Sequence, residues 1–410
     1  MRILFVSNLY PPNVVGGYEE LCHEVASRMV ARGHEVAVLT SCYGGQTAPI
    51  PGQVVHQSLR LIVGRTIYDG FDGPPSRRAL LRMQNVAALE RAVARFAPDV
   101  VFCWNLYGLD RSFFDALAGT GLPVVAMLTD NWLAAMENPA FVGAYFRDHV
   151  MGNPAAPWPD TGGLTRRLPA NVSAIFGAGF MRDFYAAAGL RFARDVVIHN
   201  GVNLAPELDG PRVRPLRQAG DPVRLLFAGR VVEIKGAHTA VEALGRLRRD
   251  VPGVDWRLTL VGDSRDRPYL DRLKAIAAED GTRGSIDFVE RVAPSELVGL
   301  FDAHDIYLFP SYYEPFSLTL IHALAAGIPT VASATGGNVE IVSEGETGLL
   351  FAKGDSGDLA RAVVRLQADP ALAQRIGAAG AQVARRYSTE AMIAAMEAHL
   401  SSVAAAAPVA

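Results

Sequence analysis

Cysteine is scarce in this chain. Three residues, Cys22, Cys42 and Cys103, cannot all pair and have no metal-like spacing, which fits a reducing cytoplasm rather than a disulfide framework. Cys103 lies in an apolar run and reads as core. Long hydrophobic runs are missing as well: no apolar segment approaches the roughly 20 residues that span a bilayer. The opening Met1-Arg-Ile-Leu-Phe-Val run is too short for a signal peptide and reads as a strand. Neither sign of charge dominates. A net charge of −3 gives no case for nucleic acid or for general adhesion to anionic membranes, although a local basic face stays open. Gly-x-Gly-x-x-Gly is absent from the first βα turn, which argues against a nicotinamide dinucleotide site.

What is present is an α/β pattern, twice. The 410 residues, 50% hydrophobic, suit two domains at about 100–200 residues each. Residues 2–6 read as a buried strand and 8–17 as a loop with Pro11, Pro12 and Gly16-Gly17. Residues 18–32 read as a helix, with Leu21, Val25 and Met29 in one row and Cys22, Ala26 and Val30 in the next. Gly33 ends it and 35–40 is a second strand, completing a βαβ unit. Residues 43–78 show weak periodicity, read as short strands and an exposed loop. A helix at 79–96 and strands at 100–104, 124–128, 173–176 and 196–198 follow. Residues 137–169 have no sustained period; they read either as a functional loop on the acceptor side or as a surface insertion. Residues 204–222, with prolines, glycines and charges, read as a linker.

The second half repeats the plan: strand 223–228, loop, helix 237–249, strand 256–261, then strands at 286–289, 306–309 and 330–332. Helices are expected at 360–367 and 391–400, and a frayed tail at 401–410. The most informative stretch is 309–350. An apolar strand ends at Phe309, and Pro315 prevents its continuation. Ser317 is placed to cap a helix carrying Leu320, Ile321, Leu324 and Ala325, which Gly327-Ile-Pro329 ends. Glu314, Phe316 and Ser317 then lie at the carboxyl end of a strand beside a helix N-terminus, where α/β sheets bind ligands and free N–H groups favour anions.

Glu314-Pro-Phe-Ser-Leu-Thr-Leu-Ile-His322, followed by Ala-Leu-Ala-Ala-Gly-Ile-Pro and Gly336-Gly337, resembles the E-x7-E region of retaining nucleotide-sugar glycosyltransferases of family 4, which have the GT-B fold. Gly229-Arg230 with Lys235-Gly236 resembles the same family's G-R-x-x-x-x-K-G, and Tyr10-Pro-Pro with Gly16-Gly17 and Gly33-His34-Glu35-Val36 its opening. The resemblance implies two Rossmann-like, doubly wound parallel-sheet domains facing a central cleft. The first spans 1–203 and takes back a C-terminal helix at 388–403; the donor-binding domain spans 223–387. It implies transfer of a sugar from a nucleotide diphosphate sugar to an acceptor hydroxyl, with retention and without a metal or bound cofactor. Acceptor classes known from such enzymes are glycans, lipids and small molecules, so contact with a membrane surface stays open.

Carried over residue by residue, Arg230 and Lys235 stabilise the leaving diphosphate, a guanidinium fork and an ammonium suiting two phosphates. Glu314 contacts hydroxyls of the donor sugar. The backbones of Phe316, Ser317 and Leu318 touch sugar and phosphate, Val292 touches the base, and the amides of Gly16 and Gly17 approach the phosphates. Three positions depart from the pattern. His322 replaces an acid that accepts from both ribose hydroxyls; neutral imidazole has one acceptor nitrogen, so it either admits a deoxyribose donor such as a dTDP-sugar or makes a single bond to a ribonucleotide. Glu290 replaces a glycine beside the base. Thr129 and Trp104 stand where histidines are common, leaving Asp130 either to orient the acceptor hydroxyl or to cap the following segment. A nucleotide-sugar-binding regulator without transferase activity is the alternative; retention of Arg230, Lys235 and Glu314 argues against it.

Overall fold

Parallel strands are covered on both faces, so they read as continuous apolar runs rather than alternations. The computed structural model describes residues 1–46, 48–67, 69–153, 156–161, 163–205, 208 and 220–406. Contacts divide the chain into two units: Met1–Tyr145, Trp158–His199 and Met392–Ala410 in the first, Phe146–Pro157 and Asn200–Ala391 in the second. Most of the expected linker, 206–207 and 209–219, lies outside the described residues, as do 154, 155, 162 and 407–410.

The first unit holds β1 (Arg2–Val6), β2 (Glu35–Ser41), β3 (Gln53–Leu59), β4 (Val100–Cys103), β5 (Val124–Leu128), β6 (Arg166–Arg167), β7 (Val172–Phe176), β8 (Leu190–Arg191) and β9 (Arg194–Val197). Seven of these form one parallel sheet in the order β3-β2-β1-β4-β5-β7-β9, and β6 pairs with β8 apart from it. The second unit holds β10 (Val223–Ala228), β11 (Trp256–Val261), β12 (Ile286–Val289), β13 (Ile306–Phe309), β14 (Thr330–Ser333) and β15 (Leu349–Phe351), all parallel, in the order β12-β11-β10-β13-β14-β15. In each sheet the chain winds outward, then returns beside its first strand. The reversal falls between β1 and β4 in one and between β10 and β13 in the other. At such a switch point successive loops diverge and leave room for a ligand.

Each sheet has its own core. Ile3, Phe5, Val38, Phe102, Met127 and Ile175 anchor the first, and Leu225, Phe227, Val241, Leu244, Trp256 and Leu308 the second. Burying one such aliphatic side chain contributes roughly 1.5–3 kcal/mol. The last helix, Thr389–Ala405, does not fray at 401 as expected. Its Ile393, Met396, Leu400 and Val403 enter the first core, and Glu397 pairs with Arg32 (2.6 Å) and accepts a hydrogen bond from His34 Nε2 (2.8 Å).

Two other regions differ from the expectation. Residues 43–78 contain one seven-residue strand, β3, at the sheet edge, where one-sided exposure dilutes its apolar pattern. The helix after it starts at Pro75 rather than 79, since proline fits a first turn whose N–H lacks a partner anyway. Residues 137–169 are not irregular throughout. Helix Pro139–Ala144 starts there, capped by Asn138 (Phe141 N–H to Oδ1, 3.2 Å), and passes into a wider turn at Tyr145–Val150.

Candidate functional site

The second unit's switch point brings two loops together. β10 pairs with β13 through Leu225–Ile306 and Leu226–Tyr307, so the loops after both strands leave the sheet side by side. The loop after β10 carries Gly229, Arg230 and a single tight turn, Glu233–Lys235, closed by Gly236 at φ 71°. A Cβ on Gly236 would stand 2.0 Å from the Pro310 carbonyl oxygen, so only glycine lets the loops touch. The Tyr312 N–H donates to the Ile234 carbonyl at 2.8 Å and joins them. A second glycine pair holds the far side. Gly336, at φ 54°, would put a Cβ 2.1 Å from the Glu314 carbonyl oxygen, and the Gly337 N–H donates to that same oxygen at 2.8 Å.

Zipped in this way, the loops set Lys235 Nζ 2.6 Å from Glu314 Oε2, with Ser311 Oγ at 3.5 Å from the same oxygen. The Glu314 side chain is 8% exposed and that of Lys235 20%. An ammonium has three donors, so two remain beyond the Glu314 bond. The Arg230 side chain is exposed and makes no ion pair or hydrogen bond among the described residues. All three line a cavity of about 210 Å³, closed on one side by Ser317, Leu318 and Thr319. These three begin the helix Leu318–Ala325. The Leu320 N–H donates to Ser317 Oγ at 3.1 Å, while the amides of residues 317–319 have no partner among the described residues. The cavity thus holds two cations, one carboxylate and a row of helix-terminal donors, a set that fits an anion carrying hydroxyl-bearing substituents.

Behind the cavity lies a buried polar cluster that sequence reading missed. His238, on the helix that follows Gly236, accepts or donates to Tyr269 Oη at 2.8 Å through Nδ1 and to Tyr312 Oη at 3.0 Å through Nε2. Thr239 Oγ1 is 3.3 Å from the same Tyr312 oxygen. Burial pushes the His238 imidazole down to about 4, with Arg272 adding to the shift, so the ring is neutral at pH 7. Neutral imidazole bonds both hydroxyls, one as donor and one as acceptor. It thereby ties the Lys235-Gly236 loop to the Tyr312–Glu314 loop.

The remaining donor-side positions are spread out. His322 sits one turn into the capped helix, half-buried and unpartnered among the described residues; burial lowers its pKa. It does not line the 210 Å³ cavity. Phe316 is buried with its ring 5.4 Å from that of Tyr387. Val292 is half-buried and Glu290 exposed in the loop after β12.

In the first unit, Gly16 and Gly17 are exposed at the start of helix Gly17–Ala31, and a Cβ on either would meet nothing within 4 Å. Gly16 is extended, a shape any residue adopts, so neither backbone nor packing demands glycine there. The Gly16 N–H is already taken by Glu19 Oε2 at 3.0 Å, which sequence reading also missed; the Gly17 N–H has no partner among the described residues. Asp130 Oδ1 accepts the Trp132 N–H at 3.0 Å, the capping geometry. Burial, with nearby Glu19 adding, pushes its carboxyl up to about 6. Trp104 is fully buried among Phe5, Phe102 and Tyr18 and belongs to the core. Among the described residues no helix is long and apolar enough to cross a membrane.

Comparison with known proteins gives this geometry its setting. Residues 213–383 match the model of "glycosyl transferases group 1" and residues 15–206 that of "glycosyltransferase family 4". A glycogen synthase of Mycobacterium tuberculosis is 32% identical over 403 residues, covering 93% of this chain and 90% of the relative. A D-inositol 3-phosphate glycosyltransferase of an Arthrobacter species is 28% identical over 392 residues, 91% of this chain and 86% of that one. Sucrose-phosphate synthase from Thermosynechococcus elongatus superposes with a TM-score of 0.71 at 21% identity, over 98% of this chain and 99% of that one. HepE from Anabaena, solved with UDP and glucose, gives 0.66 at 18% identity, over 98% and 100%. Both structures share the fold, two parallel-sheet units of the GT-B type. The chain belongs to the family-4 glycosyltransferases, enzymes that transfer a sugar from a nucleotide-sugar donor.

Proposed function

We propose that the nucleotide diphosphate sugar binds on the second unit, and that the sugar passes to an acceptor hydroxyl with retention of its anomeric configuration and without a metal ion. The Lys235–Glu314 pair beside unpartnered Arg230, in a cavity edged by free helix amides, carries this reading. Arg230 and the two spare donors of Lys235 hold the diphosphate, and the residue 317–319 amides add to the field. As the anomeric C–O bond lengthens, charge grows on the leaving phosphate oxygen and these fixed donors stabilise it. Glu314, held in place by Lys235, accepts hydroxyls of the donor sugar. In a front-face reaction the bond from the anomeric carbon to the phosphate oxygen breaks and the bond to the acceptor oxygen forms on the same face. The acceptor proton passes to the departing diphosphate, so no protein nucleophile takes part.

Val292 and Glu290 flank the base in this reading, and His322 meets the ribose. With one acceptor nitrogen, His322 gains less from a cis-diol than a carboxylate would. The expected consequence is weak discrimination between uridine and deoxythymidine donors. Nothing in their own unit requires Gly16 and Gly17 to be glycine, and the Gly17 amide has no partner among the described residues and can meet an anion. Asp130 either caps the segment after β5 through the Trp132 N–H or orients the acceptor hydroxyl. The acceptor is a sugar-bearing or cyclitol molecule of the kind named for the two relatives.

The test is nucleotide diphosphate release from UDP-, GDP-, ADP- and dTDP-sugars, with the anomer of the product read by NMR and chelator present throughout. An inverted product or full dependence on added metal overturns the mechanism. Donor binding without any release or transfer instead favours a regulatory binding protein.

A further inference from the structure

The first unit has its own cavity, about 680 Å³, which none of the preceding assignments uses. That volume lies within the roughly 300–1,000 Å³ of small-molecule sites. It sits at the carboxyl ends of the strands: Ile62 and Val63 follow β3, Tyr107 to Asp110 follow β4, and Trp132 follows β5. Beside the β1/β4 reversal, the Asn8 amide side chain donates to the Tyr107 carbonyl at 2.9 Å. The Tyr107 N–H donates to Asn105 Oδ1 at 2.9 Å, and the Ile62 N–H to the Gly108 carbonyl at 2.6 Å. The backbone of Tyr107 is therefore fixed on both sides while its side chain is left open; the residue is 47% exposed. Phe71 lines the same cavity, with the Arg78 guanidinium 5.1 Å from its ring centre.

The charges in the wall are balanced. Arg78, Arg82 and Arg111 face Asp69, Asp110 and Asp115. Arg82 pairs with Asp110, and Arg111 with Asp115 at 3.5 Å and with Glu137 at 3.6 Å. Ser112 Oγ also donates to Asp110, at 2.5 Å. Only Arg78, of the three arginines, has no carboxylate partner among the described residues, and its guanidinium is spread over Phe71. Arg78 alone could meet an anion without breaking an ion pair, and it is set against Asp69, a carboxylate in the same wall with no ion pair among the described residues; neutralising more than one negative charge would have to break the Arg82 or Arg111 pairs. A neutral polyol need not: paired carboxylates and guanidiniums keep spare acceptors and donors, and a vicinal pair of hydroxyls uses both. The apolar face of a pyranose ring suits an open aromatic side chain carried on a fixed backbone.

We propose that this cavity binds a neutral oligosaccharide and that this oligosaccharide is the acceptor, so that the chain extends a glycan rather than modifying a phosphorylated small molecule. The proposal rests on the transferase reading above and names its acceptor class. Tyr107 is the stacking platform, and the Arg82–Asp110 pair is the hydroxyl contact.

Calorimetry on the full chain tests it with maltopentaose as the neutral probe, inositol phosphate as the anionic one and UDP as a control for the donor side. The expected result is maltopentaose binding that changes little between 50 and 300 mM NaCl and weakens tenfold or more in Tyr107→Ala, with UDP affinity unchanged. Inositol phosphate binding that fades with salt and is lost in Arg78→Gln, with no binding of maltopentaose, overturns it. So does maltopentaose binding that Tyr107→Ala leaves intact, or no binding of either probe by a protein that binds UDP. Failure to bind UDP or any nucleotide sugar would strike the transferase reading itself, whatever the oligosaccharide does.

Discussion

Replacing Lys235 by methionine keeps the apolar stem and removes the charge, which makes it a clean probe of the pair with Glu314. The carboxylate is 8% exposed and its other side-chain contact is Ser311 Oγ at 3.5 Å, so it would be left almost without compensation. Breaking a buried pair from one side costs about 3–5 kcal/mol. Lys235 is 20% exposed and the site is partly wet, so the lower end, about 3 kcal/mol, is expected. For a unit of 150–250 residues that is roughly 6–12 °C in melting temperature, at about 2–4 °C per kcal/mol. Glu314→Gln should cost about 1 kcal/mol, because the ammonium can turn to water and keep a neutral acceptor. The double variant should cost about 2 kcal/mol, less than Lys235→Met alone and about 2 kcal/mol less than the sum of the single variants, which is the coupling. The assay is scanning calorimetry, following the transition that moves, since two units need not melt together. Function separates the partners further. Lys235→Met should weaken UDP binding, whereas Glu314→Gln should spare UDP and slow sugar transfer. A shift below 1 °C in Lys235→Met, or strictly additive single variants, would show that the pair is a surface contact and not the buried device argued for here.

Three further outcomes follow from the same geometry. Asp130, with its carboxyl pushed up to about 6, is protonated more readily folded than unfolded, so stability falls as pH rises from about 4 to about 6; Asp130→Asn should melt higher than the parent at pH 7.5, by up to about 3 kcal/mol, and little differently at pH 4.5. If transfer also collapses in that variant at saturating donor, Asp130 touches the acceptor as well. Gly336→Ala forces a left-handed alanine, at about 1–2 kcal/mol, and a Cβ 2.1 Å from the Glu314 carbonyl oxygen, so both melting temperature and UDP affinity should drop; Gly16→Ala should leave melting unchanged, and equal effects at the two sites would refute the distinction. His322→Glu should raise the preference for UDP over dTDP by restoring a second acceptor, and an unchanged ratio of affinities by calorimetry would remove His322 from ribose recognition.

Most of the fold was legible because its strands are buried on both faces. β1 and β13 fall where apolar runs put them, and β10, β11 and β12 do so although Arg224, Arg257 and Asp287 interrupt their apolar runs at exposed positions. Edge strand β3 was blurred by one-sided exposure. Helices Arg267–Glu279 and Pro370–Ala384 were missed although each opens on a readable cap: Asp266 accepts the Tyr269 N–H at 3.2 Å, and Asp369 the Leu372 N–H at 2.9 Å. An aspartate shortly before a proline looks like a turn in sequence, and only the following periodicity separates the two cases.

The candidate site was legible in residues that line the cavity and opaque in those that hold them. Arg230, Lys235 and Glu314 stand in short loops at fixed distances from strand ends, so spacing alone narrows their place. The cluster of His238, Tyr269 and Tyr312 comes from three elements that only the sheet brings together, and no spacing announces it. Yet the Lys235–Glu314 distance depends on it, because Tyr312 and His238 flank the two residues whose side chains must meet. Glu19 shows the converse. Its carboxylate occupies the Gly16 amide, so the glycine pair offers an incoming phosphate one free N–H among the described groups, at Gly17, beside an acid. The glycine turn therefore offers fewer donors than its sequence suggests, and in the proposed reading Arg230 and Lys235 carry the hold on the diphosphate. A variant that removes the acid, Glu19→Gln, should tighten UDP binding if the glycine turn meets the phosphates, and should leave it unchanged if the turn does not.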